Sequence, residues 1–388
     1  MDPTASGFCK SKFIRWQTAA MMPMQHLKAG DFSGFKAGLQ RLAAAMNGVP
    51  DRVPICAQMH EFAMRELRAD ARDFYTSTRF LPAGYLSVLA AYGIDVPGVE
   101  YDVYNIEAEA IGQRIVYSDR HMPDVDRSAP LICSARDLFK IRTPDFNSDG
   151  RLRTVVEMYA VYRDLLGEEP VLNFCAPFSL AANIRGTERL LMDIMLQPDF
   201  ARELFDRITD ALLIPWIMHL KQAFPGAHSI CGSDATASIP IVNAAMLADW
   251  VVPWIDRLRR ICGKGVYVPN WVGERYLRDP EIMLDLKRKV CPAFLEGQDP
   301  DVAAIGPAVY RQYADQCGVP LMLGIGAGFL ALTTPAEIEK RVRTYIEEGG
   351  PAGRFVLYLC NVGATTPREN IRAAVSAARR YGSYQVGC

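Results

Sequence analysis

Short β-rich runs alternate with longer amphipathic stretches along almost the whole chain, and this alternation restricts the possible folds more than any other feature. The runs are Val53–Ala57, Asp102–Asn105, Pro170–Cys175, His228–Ser233, Gly265–Asn270, Pro292–Gly297, Pro320–Ile325 and Arg354–Cys360. Helical periodicity marks Phe35–Met46, Leu152–Leu166, Pro198–Phe224, Ala244–Cys262, Pro280–Lys289, Gly306–Cys317, Pro335–Glu348 and Pro367–Tyr381. Several of these open with Pro, whose fixed φ and missing N–H suit a first helical turn. Strands that alternate with long helices pair in parallel through right-handed crossovers.

Eight strands of this kind close more readily into a (β/α)8 TIM barrel than into an open sheet. A doubly wound sheet needs a glycine-rich turn after its first strand, and Ala57-Gln58-Met59-His60 is not one. The 388 residues exceed an ordinary single domain, but barrels run to this size as one unit. No repeat, low-complexity tract or linker divides the chain, so 1–388 reads as one α/β domain with an irregular amino-terminal arm over 1–34. Insertions at about 62–100 and 107–151, after the first two strands, are expected to form a lid.

Lys plus Arg (43) nearly cancels Asp plus Glu (44), so no strong field draws the chain to nucleic acid or to an anionic membrane. The most apolar run, 211–220, is half the roughly 20 residues that cross a bilayer, and it contains Pro215 and His219. The start of the chain lacks the apolar block of a secretory signal. Ten cysteines without a C-x-x-C pair suggest neither a disulfide framework nor a zinc knuckle. A cytoplasmic enzyme is expected.

Barrel chemistry sits where strands end. That rule selects His60, Glu61, Asp102, Tyr104, Asn105, Asn173, Cys175, Ser233, Asp234, Tyr267, Asn270, Glu296, Asp299, Cys360 and Asn361. Carboxylates, amides and one histidine suit proton transfer and ligand orientation. Gly324-Ile325-Gly326-Ala327-Gly328 lacks dinucleotide spacing and reads as a turn. His121 reads as part of a hairpin in the lid.

Several segments together resemble the uroporphyrinogen decarboxylase superfamily. They are Arg52-Val53-Pro54-Ile55, Glu107-Ala108-Glu109-Ala110-Ile111-Gly112, Ala176-Pro177-Phe178-Ser179-Leu180-Ala181 with Arg185-Gly186, and Gly232-Ser233-Asp234. Thr334-Pro335 with Glu337-Ile338, and Thr366-Pro367 with Glu369-Asn370-Ile371, extend the resemblance to about Gly382. The decarboxylase's Arg-Gln-Ala-Gly-Arg segment, which grips substrate carboxylates, has no counterpart. The resemblance is therefore to the corrinoid-dependent methyltransferase branch.

That branch usually holds zinc on a His-x-Cys strand end plus a late cysteine. Cys360 fits the late position, but Tyr267-Val268-Pro269-Asn270 supplies neither of the other two. Three protein ligands are needed, so zinc is in doubt. The resemblance then implies transfer of a methyl from a small ether, amine or thioether to the cobalt of a corrinoid (cobalamin) carried by a partner protein. His60 or Glu61 is the expected acid, with Asp102 and Asp234 orienting the donor. Tyr104, Asn105, Asn173, Tyr267, Asn270 and Glu296 are expected to line its pocket. The competing reading is a decarboxylase or lyase acting on a small carboxylic acid.

Overall fold

In the computed structural model, which describes residues 32–119 and 121–384, seven of the eight expected strands are present and all of them pair in parallel. The strands are β1 (Ile55–Ala57), the hairpin pair β2 (Ile115–Val116) and β3 (Asp124–Val125), β4 (Leu172–Cys175), β5 (Ile230–Ser233), β6 (Val266–Tyr267), β7 (Leu295–Gln298), β8 (Leu321–Ile325) and β9 (Phe355–Leu359). Hydrogen bonding links them into two arcs, β1-β9-β8-β7 and β4-β5-β6. Side chains from both arcs line one cavity, so the arcs curve around a common interior. Apolar residues on both faces of β8 and β9 fit strands covered by helices outside and by core inside.

Asp102–Asn105 is not a strand. The Val103 N–H bonds to the Tyr101 carbonyl (2.8 Å), and the Asn105 N–H bonds to the Asp102 carbonyl (3.0 Å). The Asn105 amide also bonds to Asp102 Oδ2. Such local bonds offer the backbone an alternative to a ladder. The segment 99–103 nevertheless holds the second strand's place, because the Tyr101 hydroxyl donates to the Asn173 carbonyl on β4 (3.0 Å).

Helices follow the expected pattern with two breaks. The stretch 198–223 runs as Pro198–Arg207, a wider π-turn at Ile208–Leu213, and Ile214–Ala223. Pro215 has no N–H to give the preceding turn, which a local change of pitch accommodates. Ala244–Trp250 and Val252–Cys262 are likewise separate helices, with Pro253 in the first turn of the second. The helix Pro335–Gly349 opens with a reciprocal cap between Thr334 and Glu337.

The insertion after β1 carries Phe80–Tyr92, a helix buried on most sides through Leu81, Tyr85, Leu86, Val88 and Leu89. The insertion at 107–151 carries the β2–β3 hairpin, with His121 in its exposed connection. Residues 1–31 of the expected arm lie outside the described residues, and helix Gly34–Asn47 begins at the arm's end. One hydrophobic cluster runs from Phe35 to Ala378. No helix among the described residues is long and apolar enough to cross a membrane.

Asp95 joins the first helix, β1 and the first insertion. Its carboxylate is 7% exposed and accepts from Arg52, Arg41 and the Ile55 N–H. Removing this acceptor leaves the largely covered Arg52 guanidinium without its carboxylate and the Ile55 N–H without its side-chain acceptor, while Arg41 keeps Asp51. Asp95→Ala is therefore expected to cost about 3–5 kcal/mol, read as a lowered denaturant midpoint.

Candidate active site

The cavity enclosed by the two arcs has a volume of about 110 Å³. Its wall takes Gln58 from the end of β1, Glu100 and Tyr101 from the irregular segment, and Asn173 from β4. Cys231 and Ser233 on β5, Asn270 after β6, Glu296 on β7 and Tyr358 on β9 complete the polar lining. The wall carries two carboxyls, Glu100 and Glu296, and among the described residues no Lys, Arg or His lines it.

Glu100 is the best defined group. Gln58 Nε2 donates to its Oε2 (3.1 Å), while the Tyr358 hydroxyl donates to Gln58 Oε1 (3.2 Å). Tyr358 thus fixes the amide so that its NH2 faces the carboxyl. Burial pushes the Glu100 carboxyl up to about 7, and the single amide bond offsets only part of that. Glu296 accepts from the Gln298 amide and is also raised by burial. Lys287 Nζ approaches Glu296 only through its backbone carbonyl (2.9 Å) and forms its ion pair with Glu274. Burial holds the Cys231 thiol well above its usual range, so it stays protonated.

A supporting layer stands behind this wall. Asn270 Oδ1 accepts from the Asp234 N–H (3.0 Å), and its Nδ2 donates to the Tyr104 hydroxyl (3.1 Å). Asp234 accepts from the Ser179 N–H (2.9 Å) and from Trp271 Nε1 (3.2 Å). Desolvation raises its carboxyl to about 6. The Asn173 N–H is held by the Tyr159 hydroxyl (2.7 Å).

Of the residues expected from sequence, Asn173, Ser233, Asn270 and Glu296 line the cavity. His60, Glu61, Asp102, Asp234, Tyr104, Asn105, Tyr267 and Cys360 are not on its wall. His60 is buried against the Tyr75 hydroxyl (2.6 Å), and desolvation lowers its pKa, which keeps the ring neutral. Glu61 accepts from the Met122 N–H (2.8 Å), tying the hairpin to the helix start. Asp102, fully buried, forms a two-bond ion pair with Arg151. Asn105 donates to Asp102 and to the Pro123 carbonyl (2.6 Å).

Tyr267 is buried beside Cys231. Cys360 is 2% exposed, with its sulfur packed on Gly324. Among the described residues no three His, Cys, Asp or Glu converge on a point that could hold a metal. Asn270, in the ligand position, has both ends of its amide engaged. This donor set does not fit tetrahedral zinc, and no step is derived through it.

The strand-end rule missed Gln58, Glu100 and Tyr358. Gln58 follows β1 directly, two residues ahead of His60. Glu100 escaped because it precedes the expected strand 102–105, of which only Val103 reaches the cavity. Tyr358 lies within β9, where one polar residue in an apolar run was the available signal.

A carboxyl with a raised folded-state pKa binds its proton in the folded state where the unfolded chain has already lost it. Stability therefore falls as pH rises from the unfolded value of 4.5 to about 7 and is flat above. The slope approaches about 1.4 kcal/mol per pH unit for one such group. Glu100→Gln lacks this term, so it should gain on the wild type between pH 5 and pH 8. Melting temperatures of the two proteins at both values check this.

The model of the family described as uroporphyrinogen decarboxylase (URO-D) matches residues 38–381. A methylated-thiol–coenzyme M methyltransferase from Methanosarcina mazei is 27% identical over 349 residues, which is 87% of this chain and 88% of the relative. A solved methyltransferase from Methanosarcina mazei superposes with a TM-score of 0.73 at 17% identity, covering 90% of this chain and 99% of that one. The match of the family model over nearly the whole chain, on a fold that gathers strand ends around one cavity, places this protein in the uroporphyrinogen decarboxylase family.

Proposed function

We propose that this chain is a methyltransferase that takes a methyl group from a small methylated donor and delivers it to the cobalt of a corrinoid carried by a separate protein. The observation that carries this reading is the cavity wall, where two carboxyls stand with amides and tyrosines and no cationic side chain. A carboxylic-acid substrate would meet like charge there with nothing to pair it, which disfavours the decarboxylase or lyase reading. The volume, about 110 Å³, is well below the roughly 300–1,000 Å³ of sites for drug-sized ligands. A donor of a few heavy atoms suits it. The 27%-identical relative bears a methyltransferase's name, which supports the reaction class.

In methyl transfer the bond between carbon and heteroatom breaks with its electron pair left on the heteroatom. The acceptor supplies the pair for the new bond, and reduced corrinoid cobalt is strongly nucleophilic without help from the protein. What this chain contributes is alignment of the donor and control of charge on the departing atom. That atom leaves easily if it is cationic beforehand or gains a proton as the bond breaks. Glu100, oriented by Gln58 and Tyr358, is placed for both tasks. Asp234, whose backbone N–H holds the Asn270 amide, and Asp102, in the turn that follows Tyr101, serve as positioning residues.

Purified protein, cob(I)alamin and a panel of methyl ethers, methylamines and methyl thioethers under anaerobic conditions test the proposal. Growth of the methylcobalamin absorbance with one donor class is the expected result. Silence across the panel with an active control enzyme, and carbon dioxide release from small carboxylic acids instead, would overturn it. With the active donor, Glu100→Gln should lower kcat/KM by about 10²–10⁴. Glu61→Gln should change it less than about tenfold, below the roughly 10²–10⁴ of a general-acid effect.

A further inference from the structure

Most buried carboxylates elsewhere among the described residues are paired with cations. Asp95 has Arg41 and Arg52, Asp102 has Arg151, Asp193 has Arg185, and Glu274 has Lys287. Asp234 and Glu107 lack a cation but are held by N–H groups of the scaffold, away from the cavity. Glu100 and Glu296 differ from all of these. Each has one neutral amide partner, Gln58 or Gln298, and each faces the same small enclosed space. Glu296 is 6% exposed. Lys287 forms its ion pair with Glu274 and donates to the backbone of β7, so its charge offsets only part of the burial of the Glu296 carboxyl.

An apolar or neutral ligand would leave this arrangement costly, because two acids in one desolvated space cannot both ionise without a counter-charge. A cation that fills the space removes that cost, and tyrosines such as Tyr101 and Tyr358 on the same wall suit an alkylated cation. We infer that the methyl donor is a methylated ammonium compound, bound as a cation against the Glu100 and Glu296 carboxylates. This deepens the methyl-transfer reading and rests on it in treating the bound cation as the donor. The chemistry balances without a proton from the protein. The bond from methyl carbon to nitrogen breaks, its pair stays on nitrogen as the neutral amine leaves, and the reduced corrinoid supplies the pair for the new bond.

Binding is then coupled to ionisation of the cavity carboxyls. Since burial holds Glu100 at about 7, a cation that enters at pH 6 expels a proton, and one that enters at pH 8 expels little from that group. Tetramethylammonium has no proton of its own to release, which makes it the clean probe.

The test is isothermal titration of the full-length wild-type protein with tetramethylammonium chloride at pH 6 and pH 8, in two buffers of different ionisation enthalpy. Melting curves with trimethylammonium chloride, potassium chloride at equal ionic strength, dimethyl sulfide and dimethyl ether accompany it. The proposal expects saturable ammonium binding, release approaching one proton at pH 6 and less at pH 8, and a melting-temperature rise with the methylammonium salt alone. Glu100→Gln and Glu296→Gln should each weaken binding about tenfold or more, equivalent to about 1.4 kcal/mol. Neutral ether or thioether binding as tightly as ammonium, an equal response to potassium, or ammonium binding without proton release at pH 6 would each overturn it. Methyl transfer from a neutral donor in the cobalt assay, with no ammonium binding, sinks this inference and keeps the transferase reading. Ammonium binding with proton release but no transfer to cobalt keeps the cation site and overturns the cation's role as methyl donor.

Discussion

Parallel strands cannot be joined by tight turns, and this restriction shapes the whole molecule. Every strand must be followed by a return across the outside of the sheet, usually a helix. All seven parallel strands therefore end on the same side, and their inward-facing residues meet in one space. Close packing inside that space depends on a few residues without side chains. A Cβ on Gly232 would lie 2.7 Å from Phe174 and Val268, and one on Gly297 would lie 2.7 Å from Tyr310. Any larger residue at either position would push a strand away from its neighbour.

Charge burial is managed in two ways. Where the fold must hold an insertion in place, a carboxylate is buried together with an arginine, as Asp95 is with Arg52 and Asp102 with Arg151. These pairs are costly to break because the surviving charge stays buried. On the cavity wall the opposite holds, and the half-buried Glu100 and the buried Glu296 have amides as their hydrogen-bond partners. Unrelieved desolvation is a common property of functional groups, since it tunes the group to respond to what binds. The same physics thus separates the residues that fasten the insertions from those positioned to meet a ligand.

Much of the fold was legible in advance. Strand positions such as Leu172–Cys175 and Leu321–Ile325 and helices such as Leu152–Leu166 follow from period and Pro placement. The second strand was misread because Asp102 and Asn105 satisfy each other locally and with Arg151, which no periodicity reveals. The site was only partly legible. Asn173, Asn270 and Glu296 lie at strand positions that the strand-end rule reaches. His60 and Glu61 obey the same rule, yet their side chains go to Tyr75 and to the Met122 N–H.

The sequence by itself determined the alternation of strand and helix, hence parallel pairing and a shared strand-end face, because those depend on local propensity and period. It also determined family membership through motifs spread along the chain. Only the tertiary structure decided which polar residues face the interior and which carboxyls meet a cation. Gln58, Glu100 and Tyr358 come from segments about 40 to 300 residues apart, and no local pattern records their meeting. The partners of a carboxyl are set by where distant strands place its neighbours, and that placement is what leaves Glu100 with an amide alone and Glu296 without a cation bonded to its carboxylate.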